Sequence, residues 1–423
     1  MRKILILGAG KSSISLIDYL TDHAAGENWQ LAVADLTAEL ALLKTKGRQH
    51  TQAISIDLSD AAARRSLIAG ADIVISMLPA ALHSIIAQDC LDIGCDLVTP
   101  SYISAAMKDM SEAVKSKGLI FMNEMGLDPG IDHMSAMQMI DGLKAAGKEI
   151  ISFRSHCGGL LAPESDTNAW HYKFSWNPRN VVLAGQGDGG IRWLENGAIR
   201  EIHYHELFTH TSAIDLDEKS SYESYPNRDS LKYISAYGLG QAETVYRGTL
   251  RVPPFCEAWN CIVQLGLTQA LGACNFTDKE DAIAQLDLAE RPEILYMLEE
   301  IGIFDERNFP HHIPAADSLQ KLLESQWRML PGDKDLVVMV HEIAYKDGDE
   351  VKQLQSSLYI KGKDGEHTAM ALTVGLPLAI VTKRILNRQI AMSGVLMPIH
   401  SEIYKPVMKE LEEYGVKFKE IVT

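Results

Sequence analysis

A chain of 423 residues, 46% hydrophobic and 23% charged, has the profile of an ordinary globular protein long enough for two or three domains. Its 56 acidic residues against 40 basic ones leave a formal net charge of −16. That balance argues against nucleic acid or an anionic membrane as partner, and an anionic small substrate would need a local cationic pocket.

The apolar part of the opening M-R-K-I-L-I-L-G-A-G is shorter than the hydrophobic core of a secretory leader. Ile4 to Leu7 reads as a strand buried on both faces, and Gly8-Ala9-Gly10 turns it into a helix with Ile14, Leu16, Ile17 and Leu20 inward. Strands follow at Gln30 to Ala34, Ala53 to Ile56, Asp72 to Met77, Asp96 to Val98 and Leu119 to Met122, with helical patterns between them, the last over Ser104 to Lys117. Strict alternation of strand and helix predicts a Rossmann-type doubly wound parallel sheet. From about residue 148 the texture changes. Ile150 to Ser155 is strand-like and runs into Cys157-Gly158-Gly159, and shorter strands are expected at Asn180 to Leu183 and Glu243 to Leu250. Residues 257–330 read as mostly helical. Leu336 to Ala344 and Gln353 to Ile360 form a hairpin across Lys346-Asp347-Gly348-Asp349, and a helix covers His367 to about Asn387. The expected division is a dinucleotide domain over 1–130, joined by about 385–423, and a mixed α+β substrate domain over 131–384 with its helical insertion. No run approaches the roughly 18 apolar residues of a membrane span.

Gly8, Gly10 and the small Ser13 fit the dinucleotide turn G-x-G-x-x-G/A, in which the first glycine permits the tight bend and the second lets a pyrophosphate approach the helix N-terminus; Lys11 and Ser12 lie inside it. The Walker A spacing fails, because its first glycine would fall on Leu5. Asp35, ending the second strand, is placed to accept both ribose hydroxyls of NAD and to repel a 2′-phosphate. Asp57, Met77-Leu78-Pro79 and His83 occupy or follow later strand ends, where adenine and the nicotinamide ribose would lie.

The stretch Asn123 to His133, N-E-M-G-L-D-P-G-I-D-H, follows a buried strand and precedes a long helix. Its glycines and proline make it a shaped loop. A loop at a strand's carboxyl end, where the architecture changes, is where an open α/β protein holds its ligand. Thr99-Pro100-Ser101-Tyr102 lies at another strand end, and Leu127-Asp128 should stand beside the nicotinamide. Arg228 and Arg251 are candidate carboxylate clamps, since a guanidinium keeps its charge and binds carboxylates bidentately. Asp132 and His133 read as helix-start structure, and Met134, Met137 and Met139 as core. Six cysteines without a C-x-x-C pair read as reduced thiols of a cytoplasmic protein. His203–His205 and His311–His312 lack a third ligand at useful spacing, so no metal is expected.

Together, I-S-M-L-P at 75–79 with His83, V-T-P-S-Y-I-S at 98–104, N-E-M-G-L-D-P-G-I-D-H-M at 123–134, C-G-G-L-L-A-P-E at 157–164, Y-K-F-S-W at 172–176, Y-P-N-R-D-S at 225–230, R-G-T-L-R at 247–251 and G-L-P-L-A-I at 375–380 resemble the L-glutamate-forming saccharopine dehydrogenases, or saccharopine reductases. The resemblance implies reversible, NAD(P)-dependent oxidation of saccharopine to L-glutamate and 2-aminoadipate 6-semialdehyde. It implies substrate contacts at Ser101, Tyr102, Asp128, Cys157, Gly158, Arg228, Thr249, Leu250 and Arg251, with proton handling at Asp128 assisted by Tyr102 or Cys157. Thr99, Ser101 and Leu127 would join the cofactor contacts. NADP-using members tend to carry an arginine just after the second strand. Asp35-Leu36 stands there in this chain and points to NAD over NADP. Ser13 replaces the third glycine, and Asn168-Ala169-Trp170-His171 replaces an Asn-Pro-Leu-Gly segment. A related reductive condensation of another amine and aldehyde, as in carboxynorspermidine or homospermidine synthases, is the alternative. The chain leaves room for a homodimer.

Overall fold

A computed structural model describes the whole chain except residues 187–189, 218–219, 272–273 and 311; of the histidine pairs, His311 therefore lies outside the described residues. The chain forms two compact units, Met1–Gly142 with Glu366–Lys417 and Leu143–Gly365 with Phe418–Thr423.

In the first unit, β1 (Arg2–Leu7), β2 (Trp29–Asp35), β3 (Thr51–Ser55), β4 (Ile73–Ser76), β5 (Asp96–Val98) and β6 (Ile120–Met122) are all parallel, in the order β3-β2-β1-β4-β5-β6. The short apolar runs of β1, β4 and β6 are buried on both faces, as helices on both sides of a parallel sheet require, whereas the edge strand β3 has no fully buried residue. The first helix, Ile14–Glu27, stops at Asn28, whose left-handed backbone (φ 56°) lets its N–H reach Ala24 O. Asp60 starts the helix Ala61–Ala69 by accepting from the N–H groups of Ala62 and Ala63. The helix expected over 104–117 is two short ones, Ala105–Asp109 and Ser111–Ser116. The strand order reverses between β1 and β4, so a crevice opens beyond their carboxyl ends.

The second unit adds β7 (Glu149–Leu161), β8 (Ile191–Glu195), β9 (Ala198–Ile202), β10 (Ser212–Asp217), β11 (Ser220–Pro226), β12 (Thr244–Arg251), β13 (Asp335–Asp347) and β14 (Glu350–Lys361). Among the described residues of this sheet, β7 and β12 are the one parallel pair. β7 extends the strand read at Ile150 to Ser155 straight through Cys157-Gly158-Gly159 to Leu161. The strand expected at Asn180–Leu183 is instead a helix, Pro178–Val182. The Asn177 side chain caps it and a proline sits at its first position, both helix-start features that outweigh the valines. Helices Phe255–Gln264, Lys279–Gln285, Pro292–Glu300 and Ala315–Gln326 bury Trp170, Tyr172, Phe174, Trp259 and Trp327 in one aromatic core.

The chain then returns. β15 (Gly394–Leu396) lies beside β6 and extends the first sheet, whereas β16 (Lys419–Val422) pairs with β14. The expected boundaries shift accordingly. Most of the helix Ile131–Ala145 and the helix Ala369–Leu386, which the expected boundary at 384 put almost entirely in the substrate domain, belong to the first unit, and the last six residues rejoin the second. The helix Ala369–Leu386 also corrects the membrane reading. It is long and apolar enough to span a bilayer by length and composition, but 13 of its 18 residues are buried. Gly375 shows how closely it packs: a Cβ there would stand 2.8 Å from Leu16 N and 3.1 Å from Ser12 O. It is a core helix laid against the start of Ile14–Glu27.

Candidate active site

The glycine-rich turn sits at the switch point. Gly8 has φ +102°, and a Cβ there would meet Met77 O at 3.0 Å, so β1 and β4 approach as only glycine allows. A Cβ on Gly10 would meet nothing within 4 Å, which leaves the backbone open ahead of the helix. Ser13 is buried and its hydroxyl donates to Gly10 O at 2.8 Å, closing the turn from inside. Asp35 is braced by main chain: Oδ2 accepts from Ala9 N at 2.6 Å and Oδ1 from Leu36 N at 2.7 Å. The carboxylate thus stands directly beside the turn. Lys11, Asp57 and Pro79 are exposed, while Ser12, Met77 and Leu78 are half-buried. Asp57 is turned back on Ser59, whose N–H holds its carboxyl below the ordinary value.

His83 does not present itself at the surface. It is buried, with Nδ1 2.8 Å from Ser76 Oγ and Nε2 2.7 Å from Ser101 Oγ; Thr99 Oγ1 lies 3.3 Å from Nε2. Burial pushes its pKa down from 6.5 to about 4, so the ring is neutral near pH 7. It therefore sets the hydroxyl of Ser101 from beneath.

The loops after β5 and β6 are laced together. Glu124 N donates to Ser101 O at 3.0 Å and Met125 N to Thr99 O at 3.2 Å. Gly126 N donates to Pro129 O at 2.8 Å, and Ile131 N to Gly126 O at 2.9 Å. Gly130 adopts φ +146°, and a Cβ there would fall 2.0 Å from Gly126 O, so this tight loop admits no side chain at that position. Within it, Tyr102 Oη donates to Asp128 Oδ1 at 3.0 Å. Both residues are half-buried, and Leu127 is buried behind them. Sequence reading missed Glu124, a buried acid whose carboxylate holds His133 Nε2 at 2.8 Å. Its only sequence signal was a charge wedged between an apolar strand and a glycine loop.

In the second unit, strand register decides which residues share a face. Cys157 pairs with Thr249 across β7 and β12, and Thr249 with Tyr225 across β11. The two-residue period puts Cys157, Thr249, Arg251, Tyr225 and Glu223 on one face. His156, Gly248 and Ser224 lie on the other, where His156 Nδ1 is 2.8 Å from Ser224 Oγ. At two of the expected substrate contacts, Gly158 and Leu250, the side-chain position is taken up by packing. A Cβ on Gly158 would meet Leu250 O at 2.7 Å, so this glycine admits the neighbouring strand. The Leu250 side chain is fully buried in a core with Leu160, Ile214, Leu336 and Val338, on the face away from Cys157.

The two arginines differ. Arg228 is exposed and left-handed (φ 54°), in the turn after β11. Arg251 is 3% exposed. Its guanidinium carbon lies 5.0, 5.1 and 5.7 Å from the ring centres of Tyr172, Phe255 and Tyr225. Nη1 donates to Leu250 O at 2.8 Å, while Nε is buried with no hydrogen-bond partner among the described residues. An enclosed cation with an unsatisfied donor is poised for an anion. The aromatic run Y-K-F-S-W was the sequence signal for this cage; that it encloses Arg251 was not legible.

Comparison with known proteins bears on the whole chain. Residues 4–122 match the model of the saccharopine dehydrogenase NADP binding domain and residues 126–416 that of the saccharopine dehydrogenase C-terminal domain. The chain is 34% identical to the saccharopine dehydrogenase (NADP+, L-glutamate-forming) of Pyricularia oryzae, over 100% of this chain and 99% of that protein. The crystallised apo saccharopine dehydrogenase (L-Glu forming) of Saccharomyces cerevisiae is similar at 32% identity, with a TM-score of 0.86 and full coverage of both chains. Homospermidine synthase of Legionella pneumophila, at 9% identity and a TM-score of 0.56 over 100% of this chain and 91% of that one, shares the fold.

Proposed function

This chain belongs to the saccharopine dehydrogenase family, and on that premise we propose that it interconverts saccharopine with L-glutamate and 2-aminoadipate 6-semialdehyde. In the oxidative direction the carbon bearing the secondary amine gives up hydride, water adds to the resulting imine, and the carbon–nitrogen bond breaks to leave the aldehyde and the amine of glutamate. A bound nicotinamide dinucleotide supplies the hydride acceptor. This chain's residues bind, orient and move protons.

Gly8, Gly10 and the helix start at Lys11-Ser12-Ser13 fit a pyrophosphate, because a Cβ at Gly10 would meet nothing and the following N–H groups lead into the helix. The half-buried pair of Tyr102 and Asp128 is assigned the proton handling: the carboxylate takes a proton from the substrate amine or the added water, and the tyrosine hydroxyl orients it. Ser101, fixed by neutral His83, is assigned a substrate hydrogen bond. On the second unit, Arg251 is assigned a substrate carboxylate, with Arg228 as the outer clamp and Cys157 and Thr249 on the same face as Arg251.

The observation on this chain that carries the reading is the caged Arg251. Saccharopine bears three carboxylates, and a guanidinium enclosed in aromatic walls, with its buried Nε unpartnered among the described residues, supports assigning it one of them in this acidic protein. For the cofactor we favour NAD. The support is the Asp35 carboxylate beside the glycine turn at the end of β2, a charge that would repel a 2′-phosphate bound there, although the relative from Pyricularia oryzae is named for NADP+. Purified protein given saccharopine with NAD or NADP should form reduced nicotinamide, measured by absorbance. No turnover with either cofactor rejects the assignment. Turnover of aldehydes with amines other than glutamate would move the chain to the homospermidine-synthase type of condensation.

A further inference from the structure

Glu124 is a carboxylate 2% exposed to solvent, in a stretch where Met122, Met125 and Leu127 are buried too. Its backbone is left-handed, φ +54°, a conformation that a glutamate adopts only when its surroundings enforce it. Burying a charge is unfavourable unless that charge is fully engaged, so its partners are informative. The Glu124 N–H donates to Ser101 O, and Oε1 accepts from Ile103 N, each at 3.0 Å. One residue thus grips the chain immediately before and immediately after Tyr102. Oε2 lies 2.8 Å from Nε2 of His133, fully buried on the first turn of the helix Ile131–Ala145. Nδ1 of that ring is 3.6 Å from Asp132 Oδ2. Asp132 holds the other loop: Oδ1 accepts from Gly130 N at 2.5 Å, and its own N–H donates to Leu127 O at 3.0 Å. Those two contacts fall on either side of Asp128.

A hydrogen-bond path therefore leads from the buried Glu124 to both flanks of Tyr102. Asp132, in ion-pair range of the same imidazole at 3.6 Å, hydrogen-bonds both flanks of Asp128, and the Tyr102 and Asp128 side chains meet at 3.0 Å. Starting the helix needs only Asp132, and filling the space needs only an apolar residue. Neither need accounts for an acid at 124.

We propose that Glu124, acting through His133 and the backbone of Ser101 and Ile103, is a positioning residue that sets the Tyr102 hydroxyl onto the Asp128 carboxylate. The proposal rests on the reading that this pair handles protons for the substrate. It makes Asp132 and His133 part of the same frame, beyond the helix-start role read from sequence.

The test has a structural arm and a kinetic arm, both on the full chain. In a crystal structure of Glu124→Ala, the Tyr102–Asp128 contact should open beyond hydrogen-bond distance; a contact still near 3 Å overturns the proposal. In turnover of saccharopine, Glu124→Ala should lower kcat about tenfold with little change in the KM for the dinucleotide. Glu124→Gln, which keeps an acceptor for Ile103 and can donate to the imidazole, should recover to within about threefold. Tyr102→Phe combined with Glu124→Ala should be no slower than Tyr102→Phe alone, because both remove the same contact; losses that multiply overturn the proposal. If Glu124→Ala does not fold, His133→Gln withdraws the same support and should behave alike in both arms. A wild-type enzyme inert toward saccharopine would reject the functional reading, and the proposal would then stand or fall on the crystallographic distance.

Discussion

The two units hold their functional side chains by different means. In the first, strands of three to seven residues end in loops, and the loops are fixed by main-chain hydrogen bonds and by glycines that bring backbones together, as at Gly8, Gly126 and Gly130. In the second, β7 and β13 are thirteen residues long, and the functional candidates Cys157, Thr249 and Arg251 project from strand interiors or ends with their faces set by register. A loop-built site fails when its backbone shifts by an ångström, whereas a strand-built site fails when one side chain is removed and the frame stays. The first arrangement suits a cofactor that must be approached along its length, the second a small charged substrate met at a few points.

The sharpest way to break this comparison is Arg251→Ala. Removing the caged guanidinium should lower kcat/KM for saccharopine by about 100-fold to 1,000-fold, the range for truncating one partner of a buried, hydrogen-bonded charge pair. The sheet should stay intact, since the residue lies at the end of β12. Arg251→Met is the packing control: it refills the space among Tyr172, Tyr225 and Phe255 without charge and should be as slow as alanine but thermally more stable. Steady-state kinetics and thermal melts read both. If Arg251→Met keeps full activity, the cage is only core.

The next effect concerns the loop-built unit and is read by pH. Unfolded His83 takes up a proton near 6.5, whereas the folded ring, desolvated by burial, does so only near 4. Between those values the unfolded chain binds the additional proton. The stability that a neutral His83 represents is intact above pH 6.5 and is lost as pH falls toward 4, by about 3 kcal/mol in full. His83→Gln does not titrate and can still bond Ser76 or Ser101. Its melting temperature should fall less steeply than the wild type's between pH 6.5 and 4.5; identical slopes would show that other groups govern the acid limb.

Gly375→Ala probes the packing behind the phosphate turn. The new Cβ would press on Leu16 N and Ser12 O, both backbone atoms next to the Gly10 turn. The expected cost is about 1–3 kcal/mol of stability, with a several-fold loss of dinucleotide affinity by fluorescence titration and unchanged saccharopine KM at saturating cofactor. A change in saccharopine KM alone would refute the division of labour.

These variants also mark what could be read from the sequence alone. The six parallel strands were legible because strand-like runs of about three to six residues between helical patterns have one common solution, and Gly8 and Gly10 announced their turn through spacing. Arg251 and Arg228 looked equivalent as letters; what separates them is an aromatic wall assembled from Tyr172, Tyr225 and Phe255, on three different elements. Leu250 and Gly158 looked alike in role to their neighbours Thr249 and Cys157, and only the register with β7, β12 and β13 shows that Leu250 faces the opposite side and that Gly158 meets its neighbour strand. Glu124 was hidden for a related reason. Its partners at 101, 103 and 133 come from two other segments, and no local period encodes that meeting. The helix Ala369–Leu386 read correctly as a helix, but its place beside Ile14–Glu27 is a tertiary fact carried by one glycine.

The smallest effect, and the finest discrimination, belongs to Asp35. Its carboxylate accepts from Ala9 N and Leu36 N, so it steadies the glycine turn; the proposed NAD preference gives it a second role, toward the adenosine ribose. Asp35→Ala therefore removes two things at once: ligands for the ribose hydroxyls, which should weaken NAD, and a negative charge, which should ease entry of a 2′-phosphate. Exposed charge effects of this kind are screened and modest, about 1 kcal/mol, so NAD affinity should fall several-fold while NADP affinity holds or improves. Asp35→Asn separates the parts, since its amide oxygen can still accept from Ala9 N while the charge is gone; it should relax cofactor choice with less loss of NAD binding. The deciding measurement is the ratio of kcat/KM for NAD and NADP in the three proteins. A wild type that already prefers NADP, with a ratio that neither substitution moves, would show that the carboxylate acts only as a brace of the turn and that cofactor choice is made elsewhere in the unit.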